Sequence, residues 1–450
     1  MIKKNEEYIV DIIDNGFQGE GIAKIEGITV FIDQAIKGEK IKIKILKVQK
    51  NFAYGKIIEF IEKSNTRVEP DCSTYNKCGG CNLRHIEYSK TLKIKKAIVQ
   101  NCMNKALKRE IEINDVIGME NPLHYRNKLQ YPLGLDEQNN PVMGVFSART
   151  HNIIPTEKCF IQNEKCQEIA KDIFEFIKQN NVSVYDEKTL KGTIRHIVIR
   201  IGIKTNEILV TLVVNDDKLK DKELVQYITK KHPEIKSIVK NFNTKNTNVI
   251  LGDKTEVIYG TGYIYDILGE YKFKISPLSF YQVNPKQAEK LYNLGIEMAK
   301  VSKEDTVFDL YCGIGTISLF IAKYAKKVYG VEIVEQAIKD AKENAKINNI
   351  ENVQFIAGDT KIVLEDLIYK KGIIADIVIF DPPRKGLDNN SINNILKIKP
   401  KKIVYISCNP ATLIRDLALF EKLYEVKTII PVDMFPFTKH VECVAVLNLK

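Results

Sequence analysis

From about Lys274 onward the chain alternates short β-branched runs with helical stretches, and no other feature limits its possible folds so strongly. TVFDLY, KVYGVE, NVQFIAGD, ADIVIFD and KKIVYIS read as buried strands, with helix-periodic segments between them. Such alternation predicts an α/β doubly wound, Rossmann-like parallel sheet, whose ligands sit beyond the carboxyl ends of the strands. The residues at those ends are therefore the first place to look for chemistry.

Three ends suit a nucleoside-bearing cofactor. The first runs into DLYCGIGT, where Gly313 and Gly315 let the backbone approach a ligand. The second ends in Glu332, a carboxylate able to accept from both ribose hydroxyls, and the third in Asp359, within reach of an adenine edge. Ser318 stands where the dinucleotide fingerprint has its third glycine. D-x-x-x-G-x-G with two acidic strand ends is the arrangement of S-adenosylmethionine (AdoMet) methyltransferases; a nicotinamide dinucleotide is the rival.

Two further ends suit the reaction itself. ADIVIFD closes on Asp381-Pro382-Pro383-Arg384, where the prolines bias Asp381 toward extended geometry over the cofactor crevice. Arg384 occupies the place of the aromatic residue that base-amino methyltransferases carry, which disfavours methylation of an exocyclic amine. KKIVYIS runs into Ser407-Cys408-Asn409-Pro410 and then a helix pattern. C5 of a pyrimidine is a poor nucleophile, but a thiolate adding to C6 makes C5 enolate-like and able to accept a methyl group. The helix behind Pro410 is expected to favour thiolate at Cys408. A base must then remove the C5 proton. Glu442, a carboxylate in the apolar run HVECVAVLNL, is the first candidate, since burial raises its pKa toward a useful range. His440, expected on the same strand face, is its rival.

Residues 1–60 read as a small OB-like barrel of about five strands, 61–270 as an α+β segment with a helix from Ser89 to about Leu107, and 271–450 as the sheet domain. Cys72, Cys78 and Cys81 lie within ten residues as C-x5-C-x2-C, and Cys159 is a remote fourth thiol, ahead of Cys166 and Cys102. Three clustered ligands with one distant ligand lean toward an iron–sulfur cluster over zinc. Nine cysteines, an odd number, and no signal-like leader predict a reducing, cytoplasmic setting rather than a disulfide framework. No apolar run suggests a membrane partner, and nothing suggests a dimer face, so a monomer is expected. Residues 1–110 hold 21 basic and 14 acidic side chains, out of a whole-chain excess of +11, which points to a polyanionic partner.

Taken together, C-x5-C-x2-C with a distant cysteine, SFYQVNPKQAEKLY, DLYCGIGT, DPPRKG, SCNP and HVECV resemble the RNA (uracil-5-)-methyltransferase family, and most closely its iron–sulfur-containing 23S ribosomal RNA branch. The resemblance covers nearly the whole chain, including a TRAM-like N-terminal barrel. It implies a [4Fe-4S] cluster on Cys72, Cys78, Cys81 and Cys159, Cys408 as nucleophile, Glu442 as base and Asp381 as the residue that positions the uracil. Cofactor contacts are implied for Gln282, Tyr311, Gly313, Thr316, Glu332, Asp359 and Asp381; Tyr311 and Thr316 match by place, where members often carry Phe and Asn. HYRNKLQYPLG is similar to an RNA-facing segment of the family, with Arg126 and Lys128 as phosphate contacts. The expected reaction makes 5-methyluridine in 23S rRNA. The alternatives are the tRNA T-loop, although the tRNA branch commonly lacks the cysteines, and a non-catalytic RNA-binding iron–sulfur protein.

Overall fold

Alternating Ile and Lys in KIKIKILKV send Ile41, Ile43 and Ile45 inward and leave the lysines at the surface, which is how the N-terminal sheet acquires a core and a basic exterior. In the computed structural model, which describes residues 2–106 and 111–450, this sheet has six strands. Their order across it is Glu7–Asp11, Lys40–Val48, Phe52–Glu62, Ile28–Ile32, Gly21–Ile25 and Asp14–Asn15. The strand beyond the expected five is Asp14–Asn15, whose two residues are too few to show a period. A second sheet of seven strands includes Lys128–Leu135, Ile194–Ile201 and Ile208–Val214, and helices Glu164–Gln179 and Asp221–Lys231 pack on each other beside it.

The third sheet positions the site. Its order is Val353–Ala357, Lys327–Glu332, Thr306–Leu310, Ile377–Phe380, Lys402–Ser407, Glu442–Leu449, Tyr424–Val432 and Glu112–Ile113. The first five strands are parallel, as their alternation with helices requires. Glu442–Leu449, however, runs antiparallel to both its neighbours, so the sheet is mixed rather than wholly parallel. The connection 433–441 is too short for a helical crossover, and reversal is the available solution. One consequence concerns two of the predicted site residues. Ser407 pairs with Cys443, so the end of one strand and the start of the other meet, and Cys408 and Glu442 follow that pair on the same side of the sheet.

Segments from the middle of the chain brace this sheet. Glu112–Ile113 pairs with its edge, and helix Tyr88–Ala106 packs against helix Pro410–Phe420. The expected end of that helix at Leu107 lies outside the described residues. Within it, Lys95 is fully buried and its Nζ lies 2.5 Å from Asp433 Oδ1 and donates to the Phe435 carbonyl at 3.0 Å. Tyr88 donates to the other Asp433 oxygen at 2.8 Å. A hairpin of Ile264–Leu268 and Tyr271–Ile275 spans residue 270. Among the described residues no helix is long and apolar enough to cross a membrane.

Candidate active site

The glycine loop leaves its strand through Tyr311, whose φ of 67° is left-handed and strained for a bulky side chain. Gly313 and Gly315 continue at φ of 55° and 82°. A Cβ on Gly315 would stand 2.7 Å from the Phe355 ring, so the helix Thr316–Ala322 can pack this closely only on glycine. Glu332 is held by two backbone donors, Gly313 N at 3.2 Å and Val334 N at 3.0 Å. Asp359 caps helix Thr360–Glu365, accepting from Lys361 N at 2.9 Å. Ser318, the residue that breaks the dinucleotide pattern, donates to the fully buried Asp309 at 2.5 Å, and burial pushes that carboxyl up to about 7.

At the adjoining strand ends, Asn409 caps helix Pro410–Phe420 by accepting from Ala411 N at 3.1 Å, and Pro410 starts it. The Asn409 amide also donates to the Arg384 carbonyl at 3.1 Å, which ties the Cys408 turn to the Asp381-Pro-Pro-Arg turn. Burial pushes Asp381 up to about 7. Burial, and then the Asp381 carboxylate, hold Glu442 well above the usual carboxylate range, against the pull of Arg384. Cys408 is pushed up to about 11, first by burial and then by Glu442 and Asp381, against Arg384. The expected preference for thiolate is thereby corrected: the resting group is a thiol. A helix terminus typically supplies only ~0.3–1 kcal/mol, and two carboxyls and a buried setting outweigh it.

One cavity of about 690 Å³ collects these groups. Gln282, Tyr311, Gly313, Thr316, Glu332 and Asp359 line it together with Asp381, Cys408 and Glu442. Sequence reasoning missed two further members. Tyr292, from helix Pro285–Ala299, lies buried in hydrogen-bonding reach of Gln282 and Thr316; at its helical spacing it reads as core. Phe280 is 68% exposed at the cavity, and an apolar side chain left in water beside Gln282 is the signal that could have found it. His440 is not on the strand, which begins at Glu442. It lies in the preceding turn with Nε2 3.3 Å from Arg384, outside the main cavity, and burial and that guanidinium lower it to about 4.

Residues at and beside two neighbouring strands of the second sheet, Lys128–Leu135 and Ile194–Ile201, support the cavity from behind. Asn127 donates to the Gln282 carbonyl at 3.1 Å, and Arg200 to the Ser279 carbonyl at 2.6 Å. Burial, with Arg200 and Arg126 nearby, pushes Lys128 down to about 7. Among the described residues none of these three cations pairs with a carboxylate.

The four predicted cysteines converge. Cys159 lies in the electrostatic field of Cys78 and Cys81, and burial followed by Cys159 pushes Cys81 up to about 12. Cys166 instead faces the core from within helix Glu164–Gln179, and Cys102 packs against the third sheet. A tetrahedral zinc site, with Zn–S of ~2.3 Å, holds its sulfurs about 3.8 Å apart. Among the described residues no three cysteine sulfurs lie within 4.8 Å of one another. The set that does, Glu168–Asp172–His232, has its two carboxylates already paired, Asp172 with Lys231 at 2.5 Å and Glu168 with Lys165 at 3.2 Å.

Comparison with known proteins resolves the lineage. The family model for tRNA (Uracil-5-)-methyltransferase matches residues 87–450, which is most of the chain and every group in the main cavity. The chain belongs to the tRNA (uracil-5-)-methyltransferase family. A TRAM domain model matches residues 3–58 of this family member, the six-stranded sheet. Among its relatives are an uncharacterized RNA methyltransferase of Clostridium tetani, 46% identical over 99% of this chain and 97% of the relative, and one of Halalkalibacterium halodurans, 45% identical over 100% and 98%. A solved structure, the Pyrococcus abyssi tRNA (uracil-54, C5)-methyltransferase in complex with S-adenosyl-L-homocysteine, matches with a TM-score of 0.78 at 26% identity, covering 98% of this chain and 99% of its own.

Proposed function

We propose that this RNA uracil-5-methyltransferase uses AdoMet to make 5-methyluridine at a position in 23S rRNA, acting as a monomer. The observation that carries the chemistry is the meeting of Cys408, Asp381 and Glu442 at the edge of the cofactor cavity. AdoMet supplies an electrophilic methyl group on a sulfonium. Glu332 suits its ribose and Asp359 its adenine edge, while Gln282, Tyr311, Gly313 and Thr316 line the space between.

The two carboxyls flank a thiol that must lose its proton before attack. Two facing acids in a buried site do not both ionise readily, and with Asp381 raised to about 7 and Glu442 raised as well, the pair carries a single negative charge above about pH 7. That charge accepts the Cys408 proton as sulfur bonds to C6 and passes it on to solvent, so that Glu442 is ionised again for the later step and can return the C5 proton to the departing sulfur. The C5 enolate takes the methyl group, ionised Glu442 removes the C5 proton, and the C6–S bond breaks to release 5-methyluridine. Asp381 orients the uracil edge. Exposed Phe280 offers a ring face to a base that has left its stack, and Arg126 and Lys128 offer charge to the RNA backbone.

Cys72, Cys78, Cys81 and Cys159 would hold a [4Fe-4S] cluster, whose contribution is a cross-link between the two cysteine loops; no step of methyl transfer passes through it. The cysteine set favours the ribosomal RNA. The Pyrococcus abyssi match, across nearly the whole chain, favours the tRNA T-loop as a second reading. Both RNAs carrying 5-fluorouridine serve as the test, because fluorine cannot leave as a proton does. A denaturation-resistant adduct is expected with wild type and 23S rRNA and not with Cys408→Ala. Adduct with tRNA alone would reassign the substrate, and none with either would end the thiol mechanism.

A further inference from the structure

Cys408 lines a second cavity, on the side facing the N-terminal sheet. It has a volume of about 110 Å³, and its walls include Phe17 and Gln18 from that sheet together with Arg384, Lys439 and His440 from the catalytic sheet domain. It is far smaller than the main cavity of about 690 Å³. It is a gap at the rim of the uracil site, and the barrel turn Asn15–Glu20 supplies one wall.

That turn is firmly built. Gly16 N donates to the Glu20 carbonyl at 2.7 Å and Gly19 N to the Gly16 carbonyl at 3.0 Å. The buried Asn15 amide donates to the Ala35 carbonyl at 3.1 Å. Gly19, at φ of 85°, packs so near Leu83 that a Cβ would stand 2.8 Å from it. Leu83 N in turn donates to the Phe437 carbonyl at 2.9 Å, and Lys439 hydrogen-bonds Gln18. The turn is thus tied at two points to the segment leading into Glu442. Phe17, at its tip, is 44% exposed and does not enter either the barrel core or the catalytic core.

A rigid turn that presents an exposed aromatic ring beside the nucleophile, with Arg384 and Lys439 flanking it, has the parts of a flipping wedge. The cations meet backbone phosphates, and the ring fills the space a base leaves in its stack. We infer that Phe17 inserts into the RNA stack vacated by the target uridine and holds that uridine against Cys408. This rests on the reading of Cys408 as the uracil nucleophile.

The test measures adduct formation with a folded 5-fluorouridine-substituted transcript of 23S rRNA, and of tRNA, for wild type and for Phe17→Ala and Phe17→Leu. A second transcript carries an abasic site beside the target, so its stack is already broken. Phe17→Ala is expected to slow adduct formation on the folded transcript about tenfold, with the deficit falling below about threefold on the abasic one, as unstacking cost predicts. Phe17→Leu, still an apolar wedge, is expected to recover most of the rate. Equal loss on both transcripts would make Phe17 a merely structural residue, and no loss on the folded one would remove it from RNA binding; either overturns the inference. Absence of adduct with wild type on every transcript would instead fail the nucleophile reading, and the wedge with it.

Discussion

Alkylation of Cys408 in the free enzyme should be slow at neutral pH and climb steeply above it. A thiol pushed up to about 11 is roughly one part in a thousand thiolate at about pH 8, a cost of about 4 kcal/mol at 1.36 kcal/mol per unit. Labelling with iodoacetamide, read by mass spectrometry of the Cys408 peptide, should therefore rise about tenfold per pH unit between roughly pH 8 and 10. Burial is the first cause of the raised value and the Glu442 and Asp381 carboxyls come next. The double variant Asp381→Asn/Glu442→Gln, which removes the pair's charge, should lower the midpoint by roughly one unit without bringing it below that of an ordinary thiol. A rate already at its plateau near neutrality would mean a preformed thiolate. It would refute the argument that RNA and the carboxyl pair must draw the proton away.

Two other perturbations follow from the same geometry. Lys95→Met strands the buried Asp433 carboxylate and should cost about 3–5 kcal/mol in denaturant unfolding, while adding Asp433→Leu should recover a large part of it; equal losses would mean that the pair is not the clamp. Lys128, folded at about 7 against ~10.4 unfolded, binds fewer protons when folded, so its burial penalty is present below about 7 and relieved as pH rises. A phosphate partner favours its charged form. RNA affinity should therefore fall as pH rises from about 7 to 8.5, with the slope flattened in Lys128→Arg, and an identical slope in that variant would exclude Lys128 as the titrating contact.

The strand ends were legible in the sequence because function demands particular side chains where a core strand stops. Glu332, Asp359, Asp381 and Cys408 all stand at such ends, and the cavity includes all four. Glu442 was legible for the opposite reason, as the lone carboxylate in an apolar run. The reversal of its strand was not, since alternation reveals burial and not direction, and counting the same period back to His440 put that residue on a strand that had not yet begun. Gln282 became visible only through family likeness. Its place depends on Asn127, more than 150 residues earlier, and on packing against Tyr292. Phe17 is illegible in the same way, because only the folded chain carries a barrel turn to the rim beside Cys408. The protonation of Cys408 failed as a sequence inference because a local helix argument takes no account of burial, nor of the two carboxyls that neighbouring strand ends contribute.

Nucleoside mass spectrometry after anaerobic incubation with AdoMet, on unmodified 23S rRNA and tRNA transcripts in parallel, tests the central claim most directly. New 5-methyluridine in 23S rRNA with wild type, and none with Cys408→Ala, is the expected result. Bound AdoMet with no methyluridine in either RNA, or undiminished methylation by Cys408→Ala, would contradict it.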